Sequence, residues 1–129
     1  MIGDWSDNST FTLSHIAGTV TKAALFGHDG YVWATTEGYK VEKSEVDVAV
    51  EAFSHPEKVQ KEGLKVGGEN FLVLKADEKS IYGRRGDTGV TLCKTNGAVI
   101  VSFYDDTIQA GQCTKTTEKL AEYLRELGY

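Results

Sequence analysis

The stretch SIYGRRGDTGVTLCKTNGAVIVSFY, residues 80–104, contains three apolar-rich runs separated by two short polar turns. The runs are SIYGRR, TGVTLCKT and AVIVSFY, and the turns contain Gly86-Asp87 and Asn96-Gly97. Asn-Gly between apolar runs is a strong hairpin signal, because both residues tolerate the positive φ angles of a two-residue turn. Strands that are joined by tight turns pair in the antiparallel sense. The stretch therefore predicts a three-stranded antiparallel meander.

Two further pairs of strands precede this meander. The segments TVTKAALF at 19–26 and YVWATT at 31–36 predict a hairpin with Asp29-Gly30 at its turn. A short strand near Leu64–Val66 and the strand NFLVLKA at 70–76 lie on either side of Gly67-Gly68. Together with the meander, these runs predict an antiparallel sheet of about six or seven strands.

Three other segments are typical of helices. Residues 1–17 predict a short, irregular helix, and the tetrapeptide Ser44-Glu45-Val46-Asp47 resembles a capping box that opens an amphipathic helix. That second helix is expected to stop before Pro56. A helix of about fifteen residues closes the chain after a loop at 105–111. An antiparallel sheet with helices before, within and after it predicts an α+β fold, in a single domain over 1–129.

The composition excludes several classes of function. The chain has 129 residues, 40% of them hydrophobic and 26% charged, as in ordinary globular proteins. Its net charge of −5 argues against nucleic-acid binding, which requires Lys and Arg to neutralise phosphates. Cys93 and Cys113 are too few for a secreted disulfide scaffold, and no apolar stretch has membrane-spanning length. We therefore expect a cytoplasmic protein with two reduced thiols and no nucleic-acid partner.

No catalytic or metal-binding constellation is visible in the sequence. His15, His28 and His55 are scattered, and no CxxC or HxxxH spacing provides a metal site. Neither a GxxxxGK phosphate loop nor a GxSxG nucleophile motif occurs. Cys93 lies inside an apolar strand, where an inert thiol is far more common than a nucleophile. The sequence favours a binding protein that is not an enzyme and needs no cofactor or metal.

Aromatic residues are concentrated near both ends of the chain and on an early strand. Trp5, Trp33, Tyr123 and Tyr129 each combine a flat apolar ring with an N–H or O–H donor. Such residues are often part of the core, and this interpretation stays open for Trp33 and Tyr123. If the two terminal helices are antiparallel neighbours on one face of the sheet, the four rings can instead meet at the surface.

The sequence resembles the profilin family over essentially its whole length. The resemblance rests on Trp5, AALFGHDGYVWATT at 23–36, KSIYGRRGDTGVTLCKT at 79–95 and EKLAEYLRELGY at 118–129. It implies a central antiparallel sheet with the N- and C-terminal helices on one face and a shorter helix on the other. It also implies a monomeric protein of the cytoplasm and cytoskeleton that binds monomeric actin and regulates actin polymerisation and nucleotide exchange. Its other partners would be proline-rich segments of formins and related elongation factors.

The resemblance also implies two sets of site residues. The groove between the terminal helices would bind proline-rich segments in the polyproline II conformation. Its residues would be Trp5, Trp33, Tyr123, Leu124 and Tyr129. Actin would contact the far end of the sheet and the start of the C-terminal helix, through Lys75, Arg84, Arg85, Ile108, Gln109, Gly111 and Lys115.

The chain departs from the family pattern at one position in the groove. Profilins usually have a Tyr three residues after the first Trp, and Asn8 stands there in this chain. Loss of one stacking ring costs on the order of 1 kcal/mol, so we expect weaker or differently selective proline binding. Phosphoinositide binding, known in some profilins, is expected to be weak because the net charge is −5 and few cations cluster.

Two other classes remain open at this point. A small sensor or trafficking domain of the longin or PAS type has a similar architecture, and it would bind neither actin nor proline-rich peptides. Its terminal aromatic residues would belong to the core. An enzyme is the third class, and it is disfavoured because no acid–base or nucleophile set is visible.

Overall fold

The computed structural model describes residues 22–28, 32–35, 41–106 and 108–128, with only the backbone described at 32–35. Within these ranges the strands are β1 (Lys22–Gly27), β2 (Val32–Thr35), β3 (Leu64–Val66), β4 (Glu69–Ala76), β5 (Ser80–Arg85), β6 (Thr88–Lys94) and β7 (Ala98–Tyr104). The helices in the same ranges are α1 (Lys43–Ser54), α2 (Pro56–Glu62) and α3 (Ala110–Glu126). The helix predicted over 1–17 lies outside the described residues, as does the turn at Asp29-Gly30.

The seven strands form an antiparallel sheet in the order β2-β1-β7-β6-β5-β4-β3. Strands β5, β6 and β7 pair as consecutive hairpins, in which Leu92 lies opposite both Ile81 and Val101. Strand β1 pairs with β7, so that Leu25 lies opposite Ile100. The meander predicted from residues 80–104 is confirmed, and it forms the middle of the sheet.

Both faces of the central strands are buried, because helices cover each side of the sheet. On one face, Phe26 and Leu92 pack with Val46 of α1. On the other face, Leu25 packs with Leu124 of α3. Fully burying one such side chain contributes about 1.5–3 kcal/mol, so the two layers dominate the stability. The predicted α+β fold class is confirmed, with α3 on one face and the shorter helices α1 and α2 on the other.

Helix α1 begins before the predicted capping box, which is therefore wrong. The N-cap residue is Glu42, and the backbone N–H of Glu42 donates to Glu45 Oε1 at 2.9 Å. The Glu45 carboxylate also accepts hydrogen bonds from the backbone N–H groups of Gly67, at 3.1 Å, and Gly68, at 2.9 Å. Glu45 thus caps its own helix and the β3–β4 turn together. The predicted box missed this role because the turn lies more than twenty residues away in sequence.

Two further helix boundaries differ from the sequence prediction. Helix α1 ends at Ser54 as expected, but Pro56 then opens α2, a helix that the sequence analysis did not include. Proline is favourable at a first helical position, because the N–H that it lacks would have no partner within the helix. Helix α3 starts at Ala110, inside the predicted loop, and has 17 residues.

Candidate functional site

The described part of the chain lacks the features of a membrane span or a metal centre. None of its helices is long and apolar enough to cross a membrane. Among the same residues, no group of three His, Cys, Asp or Glu side chains could hold a metal ion.

Cys93 of β6 and Cys113 of α3 are free thiols, buried in the core between the sheet and α3. Burial raises the pKa of Cys93 to about 12 and the pKa of Cys113 to about 11. Both thiols are therefore protonated at neutral pH and enclosed by the core, so neither has the character of a nucleophile.

Helix α3 carries residues of both predicted sites, one set at each end. Gly111 and Lys115 lie exposed in its first turns, and Tyr123 lies near its last turn. From Gly111 to Tyr123 the axis rises about 18 Å, since each helical residue adds 1.5 Å. The helix thus separates two surfaces that can bind different partners.

A row of four residues crosses the sheet on the α3 face and ends beside the start of this helix. Leu72 lies opposite Arg84, Arg84 opposite Gly89, and Gly89 opposite Tyr104. Directly opposed residues in a sheet share a face, so the row connects β4, which lies next to the edge strand β3, to β7. Gly89 is required in this row, because a Cβ there would lie 2.2 Å from the Tyr104 hydroxyl oxygen.

An open groove of about 440 Å³ lies at the Tyr104 end of the row. It brings together three of the predicted actin-contact residues, Arg84, Ile108 and Gln109. Its other lining residues are Asp87, Tyr104, Asp106 and Ala110. The lining therefore mixes one guanidinium with two carboxylates, which is unlike a phosphate-binding basic patch.

Lys75 joins this surface because β4 contains a β-bulge. The pairing with β5 shifts between Val73, opposite Gly83, and Lys75, opposite Tyr82, so that Leu74 is the extra residue. Without the bulge Lys75 would share the face of Val73, which packs against the opposite core. With it, the Lys75 ammonium lies 5.2 Å from the centroid of the Tyr82 ring.

Arg85 is not brought together with Arg84. Neighbouring strand residues point to opposite faces, and Arg85 extends toward β4 on the side of α1 and α2. There its Nη1 lies 3.3 Å from Oε1 of Glu69. The two arginines of the GRRG segment therefore serve different surfaces of the sheet.

The sequence analysis missed two residues of this surface, Leu72 and Leu74. Their side chains are 74% and 66% exposed, the highest values among the large hydrophobic residues described. Exposed apolar side chains next to each other often mark a protein contact surface. The run NFLVLKA could not reveal them, because it has apolar residues on both of its faces. Its sequence does not show that α3 leaves one of these faces uncovered.

Four polar contacts fix the position of α3 on the sheet. Glu118 accepts hydrogen bonds from the hydroxyls of Tyr82 and Ser80. The hydroxyl of Thr117 donates to that of Ser102 at 2.8 Å, and the hydroxyls of Thr114 and Thr91 lie 3.1 Å apart. Burial, followed by the Glu118 carboxylate, raises the pKa of Tyr82, so its hydroxyl remains a donor. Apolar packing alone is non-directional, and these bonds give the helix one register.

The predicted proline-binding residues are described only in part. Trp5 and Tyr129 lie outside the described residues, and so does the departure at Asn8. Trp33 lies in β2, where the pairing with β1 shifts from Leu25–Ala34 to Phe26–Val32 and leaves residue 33 as the extra one of a bulge. Bulges often occur next to binding sites, where they redirect one strand position.

Tyr123 and Leu124 are adjacent in α3, but the first is exposed and the second is buried. The Tyr123 side chain is 49% exposed, which makes its ring available to a ligand. Leu124 has no exposed surface and packs in the core with Leu25. Leu124 thus anchors this part of α3 to the sheet, and the ring of Tyr123 is accessible from solvent.

The comparisons with known proteins agree with this architecture. The family model Profilin matches residues 7–129. Profilin-A from Physarum polycephalum is 46% identical over 112 residues, which are 87% of this chain and 89% of that relative. The solved structure of Acanthamoeba castellanii profilin IA has a TM-score of 0.89 and 34% identity, and the match covers 97% of this chain and 99% of that one.

The fold extends to more distant structures as well. Mouse profilin IIa, solved in complex with a double repeat from the FH1 domain of mDia1, has a TM-score of 0.77 at 21% identity. That match covers 94% of this chain and 98% of the mouse chain. From the family model, the close relatives and the shared fold, this chain belongs to the profilin family, whose members regulate actin polymerisation by binding actin monomers and dock on proline-rich ligands.

Proposed function

We propose that the chain acts as a monomeric, non-enzymatic protein of the cytoplasm and cytoskeleton, in one domain over 1–129. It binds monomeric actin at one surface and proline-rich segments of formins and related elongation factors at another. The observation that carries the actin assignment is the exposed pair Leu72 and Leu74 beside Arg84. Family membership makes the longin or PAS alternative unnecessary.

The actin-contact surface combines an apolar centre with a charged rim. Leu72 and Leu74 provide the centre, and covering them gains about 1.5–3 kcal/mol for each side chain that becomes fully buried. Arg84 and Lys115 contribute cations at the rim, which direct association with an acidic partner more than they add affinity. The remaining proposed members are Lys75, Ile108, Gln109 and Gly111. Arg85 lies on the opposite face and is paired with Glu69, so this geometry does not support it as a contact residue.

Replacing Lys115 by Glu tests the rim. We expect actin affinity to fall about fivefold to tenfold, because an introduced like charge opposes an acidic partner, and the loss should shrink as salt increases. The measurement is the dissociation constant for monomeric actin at low and high ionic strength. Lys58→Glu makes the same change in charge at an exposed site of α2, on the opposite face, and should have little effect. Equal effects of the two variants would argue against a specific rim.

The proposed proline groove combines aromatic rings from β2, from α3 and from the two ends of the chain. Proline rings stack on flat aromatic faces, while Trp N–H and Tyr O–H groups donate to the peptide carbonyls. A polyproline II helix is already ordered, so its docking costs little conformational entropy. The exposed ring of Tyr123 supports this assignment, with Trp5, Trp33 and Tyr129 as the other proposed rings and Leu124 as the support beneath.

Replacing Tyr123 by Ala tests the groove. Loss of one stacking ring should weaken binding of a proline-rich peptide about threefold to tenfold, which corresponds to roughly 0.7–1.4 kcal/mol. Calorimetric titration of the peptide gives the dissociation constant, and actin affinity should not change. Tyr123→Phe retains the ring and should keep most of the affinity. Glu122→Ala, at an exposed neighbouring position, is the matched control. If Tyr123→Ala binds the peptide with the same dissociation constant as the unaltered chain, Tyr123 does not belong to the site.

Phosphoinositide binding is proposed to be weak. The groove near Arg84 also contains Asp87 and Asp106, and Arg85 is already paired with Glu69. A lipid headgroup would therefore meet carboxylates together with the cations, and the net charge of −5 opposes approach to an anionic membrane.

A further inference from the structure

His28 connects the end of β1 to the β6–β7 turn. Its ring atom Nε2 lies 3.1 Å from the carbonyl oxygen of Thr95 and 3.2 Å from that of Ala98. Carbonyl oxygens only accept hydrogen bonds, so Nε2 must carry the proton that is shared between them. The side chain is half-buried, and its two partners lie 67 and 70 residues further along the sequence.

Arg125 connects the end of α3 to the same turn. Its Nη2 donates to the carbonyl oxygen of Lys94 at 2.6 Å. Arg125 follows Tyr123 by two residues, and its side chain is also half-buried. A charge-assisted hydrogen bond of this kind is stronger than a neutral one, so it holds the last turn of the helix in place.

The turn that receives both contacts is itself well fixed. The backbone N–H of Thr95 donates to Ala98 O at 2.8 Å, and the N–H of Ala98 donates to Thr95 Oγ1 at 3.0 Å. The N–H of Lys94 donates to Lys79 O at 2.9 Å, which ties the turn to the residue that precedes β5. A turn that is held in this way can fix the positions of β1 and α3, which are bonded to it.

We propose that the β6–β7 turn aligns the two sides of the proline groove, with His28 and Arg125 as the positioning residues. His28 attaches the β1–β2 hairpin, which carries Trp33, and Arg125 attaches the end of α3, which carries Tyr123 and leads to Tyr129. The inference rests on the proposed proline binding at these rings. It adds two residues that act without touching the peptide, by holding the end of β1 and the last turn of α3 to the same turn.

The physical basis is preorganisation. Rings that are already spaced for a polyproline helix lose little freedom when the peptide binds, whereas a freed side of the groove must be ordered first. We therefore expect His28→Ala and Arg125→Ala each to weaken peptide binding about threefold to tenfold, with unchanged actin affinity. Since misalignment of either side disrupts the same groove, the double variant should lose less than the product of the single losses.

The experiment compares each truncation with a variant that keeps a donor. His28→Gln and Arg125→Lys can still donate to the turn, so both should recover most of the peptide affinity. Matched controls are His55→Ala, an exposed histidine on the opposite face, and Glu126→Ala, an exposed neighbour of Arg125. All variants are titrated as the full chain with a proline-rich peptide by calorimetry, and actin affinity and the midpoint of thermal unfolding are recorded in parallel.

The outcomes separate this inference from the proposed function. If the unaltered chain does not bind the peptide, proline binding itself is wrong. If it binds and both truncated variants bind equally well, the positioning role is wrong. The positioning role is also wrong if peptide and actin affinity fall together, which indicates general destabilisation, or if Arg125→Lys and His28→Gln recover nothing. Selective loss with recovery by the donor-retaining variants supports the inference.

Discussion

Replacing Leu72 by Asp is expected to remove most of the actin affinity and to leave the fold intact. The Leu72 side chain is 74% exposed, so the free protein gains little from it. In the complex, the same position would place a carboxylate against an apolar contact, and such central positions cost about 2 kcal/mol or more, at least roughly 30-fold in affinity. Arg84 lies directly opposite on β5, and an opposite-charge pair across strands is well tolerated in the free protein.

Val48→Asp provides the control for this experiment. Val48 is an apolar residue that is 52% exposed on α1, on the other face of the sheet. Both substitutions should change the free energy of unfolding by less than about 0.5–1 kcal/mol, as is usual at exposed positions. Sequestration of actin monomers in an assembly assay should be lost for Leu72→Asp alone. Full sequestration by that variant would show that the exposed leucines are not the centre of the contact.

Replacing Gly89 by Ala is expected to cause a large loss of stability. The added Cβ would lie 2.2 Å from the Tyr104 hydroxyl oxygen, 2.4 Å from its Cζ and 2.7 Å from the carbonyl oxygen of Gly83. Tyr104 is only 7% exposed and cannot easily move away. Overpacking of this kind costs about 1–3 kcal/mol, and the rigid backbone contact places the cost at the upper end. A displaced Tyr104 would also deform the groove that it lines with Ile108 and Gln109.

Denaturant unfolding measures this effect, with Gly111→Ala as the control. Gly111 lies in the first turn of α3, and a Cβ there meets no atom within 4 Å. Because alanine favours the helix, the control should be neutral or stabilised by up to about 1 kcal/mol. Tyr104→Leu in the Gly89→Ala background removes the contacted hydroxyl oxygen and Cζ and should restore part of the stability. An unchanged unfolding midpoint for Gly89→Ala would contradict the packing described for this row.

The strands were predicted closely because their signals are local. Strands Ser80–Arg85 and Ala98–Tyr104 match the predicted runs, and the turns that separate them contain the glycines that a hairpin needs. The helices were predicted less well, for two different reasons. Glu45 caps α1 through the N–H of Glu42, and it also binds the N–H groups of Gly67 and Gly68, which lie far away in the chain. Pro56 ends one helix and begins another, and the residue type alone does not distinguish these roles.

The proposed site residues depend on both the sequence and the tertiary structure. The family resemblance identified Tyr123, Arg84 and Lys115 as candidates, and the first two lie in segments that carry the resemblance. The bulge in β4 decides that Lys75 lies over Tyr82, and the alternation of β5 separates Arg85 from Arg84. Neither arrangement follows from the types of the residues involved. A bulge is a property of the paired strands, and it becomes visible only when the partner strand is in place.

From its sequence alone, this chain specifies the antiparallel strands, the closing helix and the family to which it belongs. Turn preferences and apolar periodicity depend on residues that are close together in the chain, so both can be recognised in the sequence. The tertiary structure decides which apolar residues stay uncovered, as at Leu72 and Leu74, and which turn holds the ends of β1 and α3. Exposure and long-range hydrogen bonds arise from contacts between distant segments, and only the assembled sheet and helices bring those segments together.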